Sequence, residues 1–158
     1  MDLSTIANRI LILTLTWEDK LQKLPACTIS ESRNKQNRTI RQILGHLVDS
    51  ASNNHQRIVR LQYNQELEFP DYQQDNDLWI ALQDFQHADW NNLVQLWKYY
   101  NLHLVHLIQS VDQTMLGNTW QNFEHKTVTL SQMIEDYPAH MELHFAEIQE
   151  LIDKQQGL

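Results

Sequence analysis

Leu93, Trp97, Tyr100, Leu104, Leu107 and Val111 recur at spacings of four, three, four, three and four. That period places all six on one stripe of a helix, the kind of seam along which helices pack into bundles. Three further segments carry stripes of the same sort. Residues 3–24 place Leu3, Ile6, Ile10, Leu13, Trp17, Leu21 and Leu24 on one face, and Pro25 stops the helix. Residues 39–63 do so with Ile40, Ile43, Leu44, Leu47, Val48, Ala51, Ile58 and Leu61. Residues 129–154 do so with Met133, Ile134, Tyr137, Met141, His144, Ile148 and Leu151. The last segment opens on Thr129 with Gln132 three positions later, a capping-box pattern. Pro138 inside it removes a backbone donor and predicts a kink.

Glycine and proline number three each, where average usage would give about 19 in total. So few turn residues exclude a many-stranded sandwich or barrel. The pattern predicts an all-α four-helix bundle, with residues 1–158 as one domain. Residues 64–76, centred on Pro70-Asp71, are too long for a hairpin between adjacent helices and predict a crossover between the second and third long helices. A short helix over 77–86 leads into the third long one at 88–111. Residues 119–127 read as extended or irregular, and 30–38 as a polar connection.

Twelve Lys and Arg against 20 Asp and Glu give a net charge of −8. A nucleic-acid partner is not expected from that balance, which lacks a basic stripe. The single cysteine, Cys27, excludes an internal disulfide framework and a multi-cysteine zinc site. It follows Pro25 closely and reads as a loop residue. Met1-Asp2-Leu3-Ser4-Thr5 has neither the basic nor the apolar segment of a signal peptide. No run approaches the roughly 18 apolar residues of a membrane span. The expectation is a soluble, cytoplasmic protein.

Eight histidines are the excess that calls for chemistry. His140 and His144 stand four apart, one turn apart on one helix face, as a helix offers two nitrogens to a metal. The same spacing also occurs in ordinary surface residues. The segment reads His-Met-Glu-Leu-His, so Met141 and Leu143 occupy the positions where zinc-protease motifs require glutamate. No Glu-x-x-His occurs, which removes a ferritin-like di-iron site. At 100° per residue, His46 falls on one border of the second helix's stripe, as His140 and His144 do on the fourth's. Three imidazoles at the rims of facing stripes can meet in a cleft. His55 lies on the opposite border of its helix and is a lesser candidate. His103 and His106 read as structural or solvated, and His87 and His125 as surface residues. Asp49, one turn beyond His46, is placed to handle a proton or to orient a ligand. Gly45, beside His46, weakens its helix by about 1 kcal/mol relative to alanine. Close helix approach, ligand room or plain packing would each account for it.

The stretch Thr39-Ile40-Arg41-Gln42-Ile43-Leu44-Gly45-His46-Leu47-Val48-Asp49-Ser50, with Asn53-Asn54-His55-Gln56-Arg57, resembles the second helix of the DinB/YfiT-like bundle proteins. Thr129-Leu130-Ser131 through Asp136-Tyr137, then His140 and His144, is similar to that family's last helix. Pro70 to Asp75, with Trp79 after it, is similar to its crossover. The resemblance covers most of the chain, although Pro138 departs from the family pattern. It implies a four-helix bundle with one divalent metal, nickel or zinc, held by His46, His140 and His144. It also implies a metal-dependent enzyme acting on a small-molecule substrate. Thiol-dependent S-transferases or isomerases, which use a low-molecular-weight thiol, and small-molecule hydrolases are the candidate activities. A non-catalytic stress-response or binding module is the alternative. Three neutral ligands leave a coordination position open and keep the full metal charge, which favours an anion such as a thiolate. Asp49 is then the candidate catalytic residue, and Arg57, Tyr72 and Trp79 are candidates to line the opening and bind substrate. A second copy of the chain is the candidate protein partner, and no membrane partner is expected.

Overall fold

The computed structural model describes residues 2–67, 74–122 and 124–157. Four long helices are present: α1 (Leu3–Gln22), α3 (Ile40–Leu61), α5 (Trp90–Gln109) and α6 (Leu130–Gln156). Two short helices, α2 (Ala26–Ser30) and α4 (Asn76–Leu82), sit in the connections, with three strands of two or three residues: β1 (Glu66–Leu67), β2 (Thr119–Gln121) and β3 (Thr127–Thr129). Cys27 lies in α2 rather than in a loop, and is exposed.

Each long helix begins on a side chain that accepts from its first free backbone amides. Asp2 caps α1 and Asp89 caps α5, while Thr39 with Gln42 and Thr129 with Gln132 form reciprocal capping boxes on α3 and α6. Helix α6 continues through Pro138 and ends on Gly157, whose φ of 74° is the left-handed C-cap glycine favours.

The apolar stripes meet in one core around Trp97, Leu44, Leu104, Ile108 and Leu130. Trp17 stacks on Phe145 at 4.4 Å, and Trp97 meets that ring edge-on at 5.6 Å. Tyr137 carries a polar exchange deep in this core: its hydroxyl donates to Asn101 Oδ1 at 2.7 Å, and Asn101 Nδ2 donates to the Trp97 carbonyl.

Helix α1 packs on α5 and α6, and α3 packs on the same two. Consecutive long helices α1 and α3 therefore face each other across the bundle, as do α5 and α6. The long connection between α3 and α5 is the crossover expected from its length. Its length carries α4, which lies over α3. The extended piece at 119–127 is a strand pair: β2 runs antiparallel to β3, and β1 adds in parallel through Glu66↔Thr119 and Leu67↔Trp120.

Gly45 is explained by packing. A Cβ there would lie 2.3 Å from the Phe85 ring, which drops against α3 from the 3₁₀ turn Phe85–His87 after α4. Among the described residues no helix is long and apolar enough to cross a membrane.

Candidate metal centre

Helices α3 and α6 pack side by side, and their shared border brings His46 of α3 to His140 and His144 of α6. One ring nitrogen from each lies within 4.8 Å of the other two. The ring centroids are 4.7 Å apart for His140–His144, 4.8 Å for His46–His144 and 5.7 Å for His46–His140. Among the described residues this is the cluster of histidine, cysteine and carboxylate groups that could hold a metal ion.

The environment keeps imidazole in its ligating, neutral form. His46 is 7 % exposed and His144 8 %. Burial pulls the His46 pKa from 6.5 down to about 3, helped by the neighbouring His144, His140 and Arg38. Burial pulls His140 down to about 4, with His144 adding and Glu147 opposing. Two partners orient the rings. His144 Nδ1 lies 3.0 Å from Glu147 Oε2, which also accepts from Asn34 Nδ2 at 3.4 Å. His140 Nδ1 lies 3.3 Å from Ser50 Oγ. An imidazole whose Nδ1 is engaged in this way offers Nε2 as the ligand. His46 Nδ1 is buried without a hydrogen-bond partner, a situation that costs about 1–3 kcal/mol unless the atom finds one. Three imidazoles, one with an unspent ring nitrogen, fit a divalent first-row cation, since this donor set suits zinc, nickel, copper and iron.

Asp49 follows one turn after His46 and is 5 % exposed. Its Oδ1 accepts from Gln83 Nε2 at 2.9 Å, while Oδ2 is buried without a partner. Burial pushes this carboxyl above its ordinary pKa, and the Gln83 hydrogen bond only partly offsets that. Arg38, buried beside the cluster, pairs with Asp77 of α4 at 2.8 Å.

A cleft of about 200 Å³ opens at His46, lined also by Ser50, Asn53, Asn54, Arg57, Gln74 and Asn76. Asn53 Nδ2 donates to Gln74 Oε1 at 2.6 Å, and Gln74 Nε2 donates to Asn76 Oδ1 at 3.0 Å. Arg57 lies over the Trp120 ring of β2 at 4.2 Å. Trp79 lines a different hollow, with Leu82 and Gln83, and Tyr72 falls outside the described residues. A hollow of about 250 Å³ beside Glu66, Thr119 and Trp120 has none of the three histidines in its wall.

Sequence reasoning did not find Ser50, Glu147 or Gln83 as parts of this centre. Glu147 alone carried a signal, standing three residues after His144 and so on the same helical face. We expect Glu147→Gln to lower divalent-metal affinity about 10–100-fold, the usual cost of losing a ligand's orienting partner. Competitive titration against a chromogenic chelator measures it.

The two depressed histidines also set an acid limit on the metal-free protein. The unfolded chain binds protons at their ordinary pKa of 6.5, and the folded chain only nearer about 3 to 4. Their contribution to stability is therefore complete above pH of about 6.5 and drains away as pH falls toward about 4. Denaturant midpoints of the chelator-treated protein should decline across that window. A midpoint that stays level through it would contradict the burial of neutral imidazoles.

The bundle of long helices matches the DinB/YfiT-like four-helix-bundle architecture in fold. Among solved structures the chain matches YfiT from Bacillus subtilis, described as a probable metal-dependent hydrolase with an unusual four-helix bundle topology. The TM-score is 0.85 at 18% sequence identity, covering 98% of this chain and 87% of that one. The fold implied by the resemblance in the sequence is thus the fold observed. No family model and no curated protein matches the chain.

Proposed function

We propose that the chain is a divalent-metal-dependent enzyme that hydrolyses a small polar molecule, with His46, His140 and His144 holding the metal. The observation that carries this reading is the convergence of three imidazoles, of which His46 lines a polar cleft and carries a buried unpartnered nitrogen. The description of YfiT as a probable metal-dependent hydrolase supports it. When bound, the ion supplies Lewis acidity and lowers the pKa of whatever takes its open position.

The chain's own groups do the rest. Glu147 and Ser50 hold the rings of His144 and His140 in place. Asp49 Oδ2 is the atom that takes up a proton, its carboxyl raised above its ordinary pKa by burial, the direction that favours a general base. Asn53, Asn54, Gln74 and Asn76 offer carboxamide donors and acceptors to a substrate's hydroxyl or amide groups. Arg57 offers a guanidinium held in orientation by Trp120.

Transfer of a low-molecular-weight thiol is the second reading, because three uncharged ligands leave the metal's charge intact for a thiolate. Assays of ester and amide hydrolysis, and of thiol addition to electrophiles, with and without nickel or zinc, separate the two. Asp49→Asn should cut metal-dependent turnover about 10²-fold while leaving metal content unchanged. Absence of both activities in the loaded protein would favour a non-catalytic binding module.

A further inference from the structure

A second pair of imidazoles lies away from the centre described above. His55 stands nine residues after His46 on α3, which is about 14 Å along the axis and half a turn around it. It faces α5 rather than α6. There its ring centroid lies 5.0 Å from that of His103, at an interplanar angle of 88°. That separation falls within the 4.7–5.7 Å found among the three histidines of the first centre.

We infer that His55 and His103 form a second divalent-metal site, clamping α3 to α5 and open to solvent. His55 Nδ1 lies 3.3 Å from the Tyr100 hydroxyl. With Nδ1–H given to that oxygen, Nε2 carries the free lone pair, the arrangement an orienting partner imposes on a ligating histidine. Burial, with His103 close by, depresses the His55 pKa, so the ring is uncharged at neutral pH. His103 is exposed and α5 holds its backbone rigidly. Bringing its ring into register therefore costs side-chain rotation only. Two imidazoles, with which no carboxylate among the described residues is grouped, select ions that prefer nitrogen, namely nickel, zinc and copper over magnesium, calcium or manganese. Water completes the shell, so the site binds more weakly than the three-histidine centre.

Titration with Ni(II) tests this by calorimetry and by paramagnetic broadening of the histidine ring signals in NMR spectra. Wild type should take up two equivalents, the weaker broadening His55 and His103. His103→Asn, at an exposed position that leaves the core intact, should lose the weaker equivalent and keep the tighter. His140→Ala/His144→Ala should lose the tighter and keep the weaker. The proposal fails if wild type takes up one equivalent, or if His103→Asn retains both. It also fails if the weaker equivalent broadens histidines other than this pair. If the doubly substituted protein does not fold, the His103→Asn comparison and the NMR assignment decide by themselves.

Discussion

Purified His144→Ala protein, loaded with nickel or zinc and desalted, should carry only background metal, where wild type retains a stoichiometric ion in its tight centre. His46→Ala and His140→Ala should behave alike. Each variant leaves two imidazoles where three converge within 4.8 Å. No carboxylate or cysteine among the described residues joins that cluster to replace the missing ligand. The effect should also appear as lost stabilisation. An ion that binds only the folded chain adds about 2.7 kcal/mol at a hundredfold excess over Kd. Wild type should therefore melt higher when loaded, and the variants should show no shift arising from this centre. His140→Ala is the most informative single change, because His140 is less buried than its partners and its loss disturbs the core least. Undiminished metal in all three variants would dismiss the centre itself, independently of any assay of turnover.

Gly45→Ala should destabilise the fold by about 3 kcal/mol, at the upper end of the cost of overpacking. On propensity alone the change would favour the helix by about 1 kcal/mol, so the two effects have opposite signs and the steric one wins. The methyl group would lie 2.3 Å from two atoms of the Phe85 ring, far inside contact distance. Phe85 is itself buried, so the ring has no open space to enter. Relief would require the 3₁₀ turn and α4 to lift from α3. That movement would strain the Gln83–Asp49 hydrogen bond just beyond α4 and the Arg38–Asp77 pair on α4 itself. Chemical denaturation should report the lost stability, and Gly45→Ala/Phe85→Leu should recover part of it by making room. A midpoint equal to wild type in the single variant would overturn the packing account.

The long helices were legible because each stripe is sampled many times over. The repeat through Leu93, Trp97, Tyr100, Leu104, Leu107 and Val111 admits no other register, and Thr129 with Gln132 marks a start to within a residue. The short elements were not legible. Strands of two or three residues such as β1 and β2 hold too few positions to show a period. A parallel pairing between residues 66–67 and 119–120 leaves no local trace. The crossover between α3 and α5 was legible from the length of the connection, but the order of the helices around the core left no local trace. In the metal centre the histidines could be placed by angle on their helices. Ser50 and Gln83 could not, because a buried hydrogen-bonding side chain and a solvated one are the same letter. Gly45 could be read as meaningful, but Phe85, the reason for it, comes from a segment forty residues on.

The placement of the three histidines also bears on when the proposed centre can exist. His46 and His140 are separated by 94 positions (140 − 46) and belong to the second and last of the long helices. Closing so long a loop of chain carries an entropic cost that must be met before any contact across it rewards the folding chain. During synthesis, a nascent chain that has not yet released α6 holds only one of the three imidazoles. Metal capture by the proposed centre would therefore follow the docking of α6. An ion held tightly in the proposed centre would report that α6 has docked on α3, and it would serve as a spectroscopic clock for that event.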